Sequence, residues 1–381
     1  MERIYWDNAA TTRMDEGALQ SALPYFSAVY GNADSLHSFG RQAKNAVDEA
    51  RDKIAASLGV RSNEVYFTSG GTESDNWALI GAARAQRALG KNRVLISAIE
   101  HHAVLSAAAE LAKEDFTVEK IPVDDGGMVE LNALKTQMGA DVGVVAVMAV
   151  NNETGVVQPI RECAEIVKAQ GGLFFCDAVQ AVGLSIDVKA WGVDLLSLSS
   201  HKFYGGRGAG VLYVRNGVKI EKFMVGGEQE RGLRGGTTNV PAIVAMASAY
   251  EKLQRERGAL EEHTARLSAA FIRGVKEYFP TVQFNGDRQN CVPSIVNFRI
   301  PGVDGGALMR GMDLKGVAIA TGAACASADP RPSHVLLAMG LTEKEAKECV
   351  RVSFGKYNTE EEIERGLSLM QAVVREILEH S

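Results

Sequence analysis

Leu195-Leu196-Ser197-Leu198-Ser199-Ser200-His201-Lys202 runs from a short apolar strand into a polar, lysine-bearing corner, and Gly205, Gly206, Gly208 and Gly210 follow at once. Upstream, Leu173-Phe174-Phe175-Cys176 ends in the same way on Asp177, and Val65-Tyr66-Phe67-Thr68 ends on Ser69-Gly70-Gly71-Thr72. Between them, 94–97 precedes an Ala-rich helical stretch at 101–113, and the apolar run 142–150 precedes a helical pattern at 160–169. A further strand is expected at 210–214. Strands that are apolar on both faces and spaced by helices predict an α/β fold, with a largely parallel sheet covered on both sides.

Beyond Pro241 a helical pattern runs to about residue 278, with Gly258 a candidate interruption. Pro280 and Asn285-Gly286-Asp287 then mark a boundary. A smaller α/β unit follows, with strands at 294–300 and 349–354 and helices from about 305 and at 359–379. Thr359 with Glu362 three residues on is a capping-box signature for the last helix. The expected organisation is an N-terminal segment, 1–20, packing with the small domain; a large domain, 21–255; and a small C-terminal domain, 256–381.

The chain has 381 residues, 46% hydrophobic and 23% charged. At roughly 150 residues per domain this is two domains with real cores, which excludes disulfide-stapled miniproteins and disordered linkers. Lys and Arg total 41 against 47 Asp and Glu, a net charge of −6 without blocks of one sign. Neither direct nucleic-acid binding nor an anionic membrane is favoured. The longest apolar run, 142–150, is far short of the roughly 20 residues that span a bilayer. Met1-Glu2-Arg3-Ile4-Tyr5-Trp6-Asp7 lacks the apolar core of a signal peptide, so the expectation is a soluble, cytoplasmic protein. Cys163, Cys176, Cys291, Cys325 and Cys349 form no C-x-x-C pair, so no metal site is expected within the chain.

Three features fall at strand ends, where open parallel sheets bind ligands. Thr68-Ser69-Gly70-Gly71-Thr72-Glu73-Ser74 offers glycines and a helix N-terminus to an anion, though such turns are common in purely structural roles. Asp177 closes a buried strand and needs a partner, whether a ligand, a helix cap or a salt bridge. Lys202 is either a solvated loop residue or a Schiff-base amine beside a cofactor. Together, an amine, a carboxylate for a ring nitrogen and a helix N-terminus for a phosphate are what pyridoxal 5′-phosphate requires.

These motifs, in this order, resemble the cysteine desulfurases of the IscS and NifS type, within the class V aminotransferase group of fold-type I pyridoxal-phosphate enzymes. The resemblance spans nearly the whole chain, from Tyr5-Trp6-Asp7-Asn8-Ala9-Ala10-Thr11-Thr12 to Arg351-Val352-Ser353-Phe354-Gly355. It is carried by T-S-G-G-T-E-S, E-H-H-A-V-L, V-N-N-E-T-G, C-D-A-V-Q, S-S-H-K-F-Y-G and the late G-A-A-C-A-S. It implies conversion of L-cysteine to L-alanine with transfer of sulfur to an enzyme persulfide, for delivery to an acceptor protein such as an iron–sulfur scaffold.

By the same resemblance, Lys202 would carry the cofactor covalently, Asp177 would face its ring nitrogen, and Gln180 its phenolic oxygen. Gly71, Thr72, Ser199, Ser200 and His201 would complete the cofactor site, with Thr237 reaching the phosphate of the opposite subunit of a homodimer. His101 would stack on the ring and move protons, although composition alone favours His102 equally. Asn152 and Arg351 would bind the substrate carboxylate, unless Arg351 is simply an ion-paired surface residue. Cys325, among small residues that impose little order, would be the sulfur-accepting nucleophile, with Cys291 its rival.

Departures from the family pattern are Gly205-Gly206-Arg207-Gly208, Arg234-Gly235-Gly236-Thr237, and Thr321, Ala323 and Ala326 around the cysteine. They bear on loop geometry and turnover rather than on the reaction. The alternatives are a selenocysteine lyase, a carbon–sulfur β-lyase or another class V aminotransferase.

Overall fold

The computed structural model describes residues 3–322 and 331–380. Its main sheet has seven strands, in spatial order Val65–Thr68, Gly210–Val214, Leu195–Ser199, Leu173–Asp177, Val142–Ala146, Arg93–Ser97 and Thr117–Ile121. Gly210–Val214 runs antiparallel to both neighbours, and the remaining pairs are parallel. Val65–Thr68 therefore points the same way as the other five, and all six C-terminal ends open along one edge. The sheet is mixed, but that single reversed strand costs the edge nothing.

Alternation along the strands supplies both cores. Leu95, Val145, Phe174, Cys176, Leu196 and Leu198 face one helical layer, which includes Ser38–Leu58 and the first half of Val240–Tyr278. Val94, Ile96, Val144, Phe175 and Leu195 face the helices Gly71–Arg87 and His102–Lys113. Except for the edge strand Thr117–Ile121, the strands are buried on both faces, which is why their sequences read as apolar runs.

Two readings of the sequence need correction. The strand expected at 142–150 stops at Ala146. Beyond it, Val147 and Ala149 N–H still bond the Phe175 and Asp177 carbonyls of the adjacent strand, at 3.1 and 2.8 Å, but the Met148 N–H is claimed by the Glu100 carboxyl at 2.7 Å, which ends strand pairing on the other side. Gly258 does not interrupt its helix, which runs unbroken over the 39 residues Val240–Tyr278. Gly258 faces open space there and costs only intrinsic propensity, about 1 kcal/mol relative to Ala.

A smaller sheet places Ile295–Arg299 between Cys349–Ser353 and Gln283–Asn285, all antiparallel. Its core gathers Trp6, Phe271, Phe298, Phe354 and Met370. Ile4–Tyr5 pairs in parallel with Val317–Ala318, and Trp6 packs edge-on against Phe271, 5.5 Å between ring centroids. Ala18 and Ala22, on the helix Glu16–Ala22, belong instead to the large core. The N-terminal segment thus ties the two units together, as does the long helix, which gives Tyr250 and Leu253 to the large core and Leu267 and Phe271 to the small one.

Gly366, on the helix Glu360–Glu379, faces Trp6 so closely that an added Cβ would stand 2.1 Å from its ring. A helical Gly→Ala change ordinarily stabilises by up to about 1 kcal/mol. Here overpacking reverses the sign, and Gly366→Ala should cost about 1–3 kcal/mol, read as a lower denaturation midpoint in urea. A raised midpoint would show that Trp6 yields.

Candidate active site

The six aligned strand ends frame a cavity of about 460 Å³. Among its lining residues are Gly71, Thr72, His101, Asn152, Asp177, Gln180, Ser199, His201, Lys202 and Arg351, ten positions that the sequence pointed to. They come from strands, turns and helix starts up to 280 positions apart.

The glycine turn is shaped by close packing. A Cβ on Gly71 would meet Val179 Cγ2 at 2.8 Å, and one on Gly210 would meet the Gly70 backbone at 2.7 Å. Thr68 and Ser74 hydroxyls pair at 2.7 Å across the turn, fixing where the helix Gly71–Arg87 starts. The first N–H groups of that helix have no partner within it and face the cavity, giving it a positive end. Glu73 accepts from Ser69 N–H at 2.9 Å and takes the Arg234 guanidinium at 2.8 and 3.1 Å, pinning the 226–237 loop over the turn.

Asp177 is 4% exposed, and its Oδ1 accepts the Val179 N–H at 2.9 Å. Burial raises its pKa, against the pull of that N–H, of Lys202 and of the Ser197 hydroxyl. The Lys202 ammonium donates to the carbonyls of Ala9 and, at 3.1 Å, of Ala10. His101 caps the helix His102–Lys113, its Nδ1 accepting Ala103 N–H at 3.1 Å, which leaves the proton on Nε2. Burial, then Lys202, lower its pKa to about 4, so the imidazole is neutral near pH 7. His201 is lowered to about 4 for the same two leading reasons, and its Nδ1 lies 3.1 Å from Thr11 Oγ1.

Arg351 is 1% exposed, which removes its reading as a surface ion pair. It gives Nη2 to Asp7 at 2.7 Å and Nη1 to the Asn152 carbonyl at 2.8 Å, while its Nε is buried without a partner. Gln180 Oε1 is likewise buried and unpartnered. The two asparagines of V-N-N-E-T-G divide their work. Asn151 is fully buried, accepting Glu153 and Thr154 N–H groups and donating to the Ile99 carbonyl, and Asn152 lines the cavity.

Two expected residues lie elsewhere. Ser200 is outside the lining, its Oγ buried without a partner and packed where a Gly205 side chain would be. Thr237, expected at the opposite subunit's phosphate rather than in this chain's own cavity, is exposed and outside the lining. Cys325 lies outside the described residues. Of the other thiols, Cys163, Cys176 and Cys349 are buried and Cys291 half-buried, and burial raises the pKa of all four.

The sequence reading missed Asp7, Ala9, Ala10 and Thr11, which bring the N-terminal segment onto Lys202, His201 and Arg351. It also missed Asp75, Met148, Val179 and Arg207, all in the lining. The D-N-A-A-T-T run was visible as a motif, but nothing local to it announces a role.

The chain matches the family model Aminotransferase class-V over residues 4–365. It is 41% identical to the cysteine desulfurase IscS of Clostridium botulinum, over 100% of this chain and 96% of that one. A solved structure described as a NifS-like protein superposes with a TM-score of 0.92 at 35% identity, covering 98% of this chain and 99% of the other. A second, described as SspA in complex with cysteine, gives a TM-score of 0.83 at 32% identity over 93% and 100% of the two chains.

Proposed function

The chain belongs to the class-V aminotransferase family, and from that premise we infer that it is a cysteine desulfurase, converting L-cysteine to L-alanine and passing on the sulfur. The observation that carries this is one cavity that joins a lysine amine, a buried carboxyl, a helix N-terminus and a buried arginine with an unused N–H.

Pyridoxal 5′-phosphate fits these residues. The Gly71 turn leaves no room for a side chain, the helix start presents unpaired N–H groups, Gln180 brings an amide N–H donor to the lining, and Arg351 Nε is buried without a partner. Lys202 would hold the cofactor covalently, Asp177 its ring nitrogen and Gln180 its phenolic oxygen. Gly71, Thr72, Ser199 and His201 would hold its phosphate. When bound, the cofactor supplies an electron sink that labilises the substrate Cα–H bond.

The chain's own groups do the rest. Lys202, which lines the same cavity as Arg351, would take and return that proton. His101, neutral at physiological pH, has its Nε2–H available to the reacting atoms. Asn152 and Arg351 orient the substrate carboxylate. Cys325 would attack the substrate sulfur as the Cβ–S bond breaks, the bond's electron pair staying with the carbon that is protonated to alanine and the sulfur staying on Cys325 as a persulfide; the four described thiols, all with raised pKa, are poor thiolates for that step.

The deciding experiment is incubation of the purified chain with L-cysteine alone. Alanine and enzyme-bound sulfur in equal amounts are expected. Pyruvate would indicate a β-lyase, and dependence on an added keto acid would indicate a transaminase. A sulfur-acceptor protein, such as an iron–sulfur scaffold, is the proposed recipient, checked by transfer of radiolabelled sulfur from the persulfide form.

Arg351→Lys keeps the charge but loses the planar fork that serves Asp7 and the Asn152 carbonyl together. The KM for cysteine should rise about tenfold or more, the scale of one lost charge-assisted hydrogen bond. The cofactor absorbance should stay normal. An unchanged KM would refute the role.

The working unit is proposed to be a homodimer. Phe26, Tyr30, Leu36 and Val225 are between 69% and 89% exposed, large apolar side chains of the kind that a second copy would cover. Val225 shares with exposed Thr237 the loop pinned by Arg234, and in the proposed dimer that loop would reach the neighbouring site. A monomer in sedimentation at assay concentration with full activity would contradict this. A cytoplasmic location accords with the four cysteines among the described residues being free thiols, and no described helix is long and apolar enough to cross a membrane.

A further inference from the structure

Asp75 has no part in the reading above, yet it is 1% exposed and lines the same cavity as Asp177. It sits one helical turn after Gly71, on the helix whose start forms the glycine turn, so both point to the same side. Its Oδ1 lies 2.5 Å from Ser197 Oγ. Ser197 is also the register partner of Asp177 on the adjacent parallel strand, and its hydroxyl acts on the Asp177 carboxyl. One hydroxyl thus stands between two buried carboxyls.

A serine hydroxyl has one proton to donate. If both carboxyls were ionised, one of its two oxygen contacts would lack a proton, and two negative charges would sit together in a low-dielectric pocket. Apart from Ser197, which acts on both, the favourable groups are on the side of Asp177, namely Lys202 and the Val179 N–H. The other titratable neighbours acting on Asp75 are Asp177 and Glu100, both acids and neither a cation. The arrangement is complete when Asp75 donates to Ser197 Oγ and Ser197 donates to Asp177, a chain whose two bonds polarise one another.

We propose that Asp75 is a positioning residue that carries the single proton of this pair and, through Ser197, keeps the Asp177 carboxylate ionised and oriented for the cofactor ring nitrogen. The same helix then serves both ends of the cofactor, its start the phosphate and its second turn the ring. The inference rests on the role proposed for Asp177.

The surrounding groups agree. Burial, then Asp177, push the Asp75 carboxyl well above the usual range. Glu100, fully buried with Ser97 and Met148 N–H on one oxygen, is raised to about 8 and adds no charge near neutrality. Cys176 is held neutral by burial, and His101 is a neutral imidazole. Lys202 is the cation that faces the pair, and it acts on Asp177.

The test uses the full-length holoprotein and three variants. In difference infrared spectra, wild type minus Asp75→Asn should reveal one protonated-carboxyl stretch that the variant lacks. With cofactor labelled by ¹⁵N in the ring, NMR should give the same ring-nitrogen titration for wild type and Asp75→Asn, because the amide is also neutral and can still donate. Ser197→Ala should shift that titration to lower pH and weaken cofactor binding about tenfold, the scale of one hydrogen bond to a charged group. Absence of the infrared band would show Asp75 ionised and overturn the proposal, as would an Asp75→Asn titration displaced like that of Ser197→Ala. An unchanged titration in Asp177→Asn would overturn the Asp177 role itself. The infrared result, read on Asp75 alone, tells the two failures apart.

Discussion

Cys325→Ser is expected to abolish alanine release while cysteine still binds. The cofactor can loosen the Cα–H bond, but it cannot accept the sulfur that leaves Cβ, so a second nucleophile must attack that sulfur. A thiolate is the effective one near neutral pH, and a thiol held up by burial is mostly protonated there. Cys163 and Cys349 are pushed up to about 12 and Cys176 well above its ordinary value. Cys291, the rival, is raised too; it bridges to Val156, gives its thiol to the Arg288 carbonyl, and lines an adjoining pocket that shares Ala9, Gln180 and Lys202 with the main cavity but not the Gly71 turn, Asn152 or Arg351. Turnover of Cys325→Ser should fall by at least about 10³-fold, the scale of removing a nucleophile. Added cysteine should still perturb the cofactor absorbance. Near wild-type desulfuration by this variant would return the assignment to Cys291 or to a β-lyase without a cysteine nucleophile.

Strand placement was legible because burial on both faces leaves a mark that needs no context, as at Leu173–Asp177 and Leu195–Ser199. It failed at Thr117–Ile121, an edge strand whose Thr117 and Lys120 are exposed and whose sequence therefore reads as polar. It overran at 147–150, where apolar residues continue and still bond the Leu173–Asp177 strand on one side, but on the other the Met148 N–H is taken by the Glu100 carboxyl rather than by a strand. Lys202 and Asp177 stood out because a charge closing an apolar strand is costly and needs a reason. Asp7, Ala9 and Ala10 could not stand out, since their partners Arg351 and Lys202 lie more than 190 residues away and only the fold brings them together. Asp75 was hidden differently. A lone acid in a helix is ordinarily solvated, and only the strand packed against it shows that it is buried beside a second carboxyl.

Lys202→Ala should remove covalent cofactor and with it measurable turnover, and Lys202→Arg should do the same. The two variants separate the roles that the structure gives this side chain. Its ammonium supports the N-terminal segment through the Ala9 and Ala10 carbonyls, and its charge steadies Asp177 and helps keep His101 and His201 neutral. Arginine retains a charge and N–H donors for those carbonyls, so Lys202→Arg should keep nearly wild-type stability, whereas Lys202→Ala should lose it in part. Neither residue can lose a proton and attack an aldehyde near neutral pH, since alanine has no amine and a guanidinium stays protonated. Borohydride reduction of the wild-type protein should place a pyridoxyl group on Lys202 by peptide mass mapping, and no peptide of either variant should carry one. The rate should fall by at least about 10³-fold in both, because covalent attachment and proton transfer at Cα are lost together. If Lys202→Arg turned over cysteine at more than a small fraction of the wild-type rate, Lys202 would be only a structural cation under the N-terminal segment.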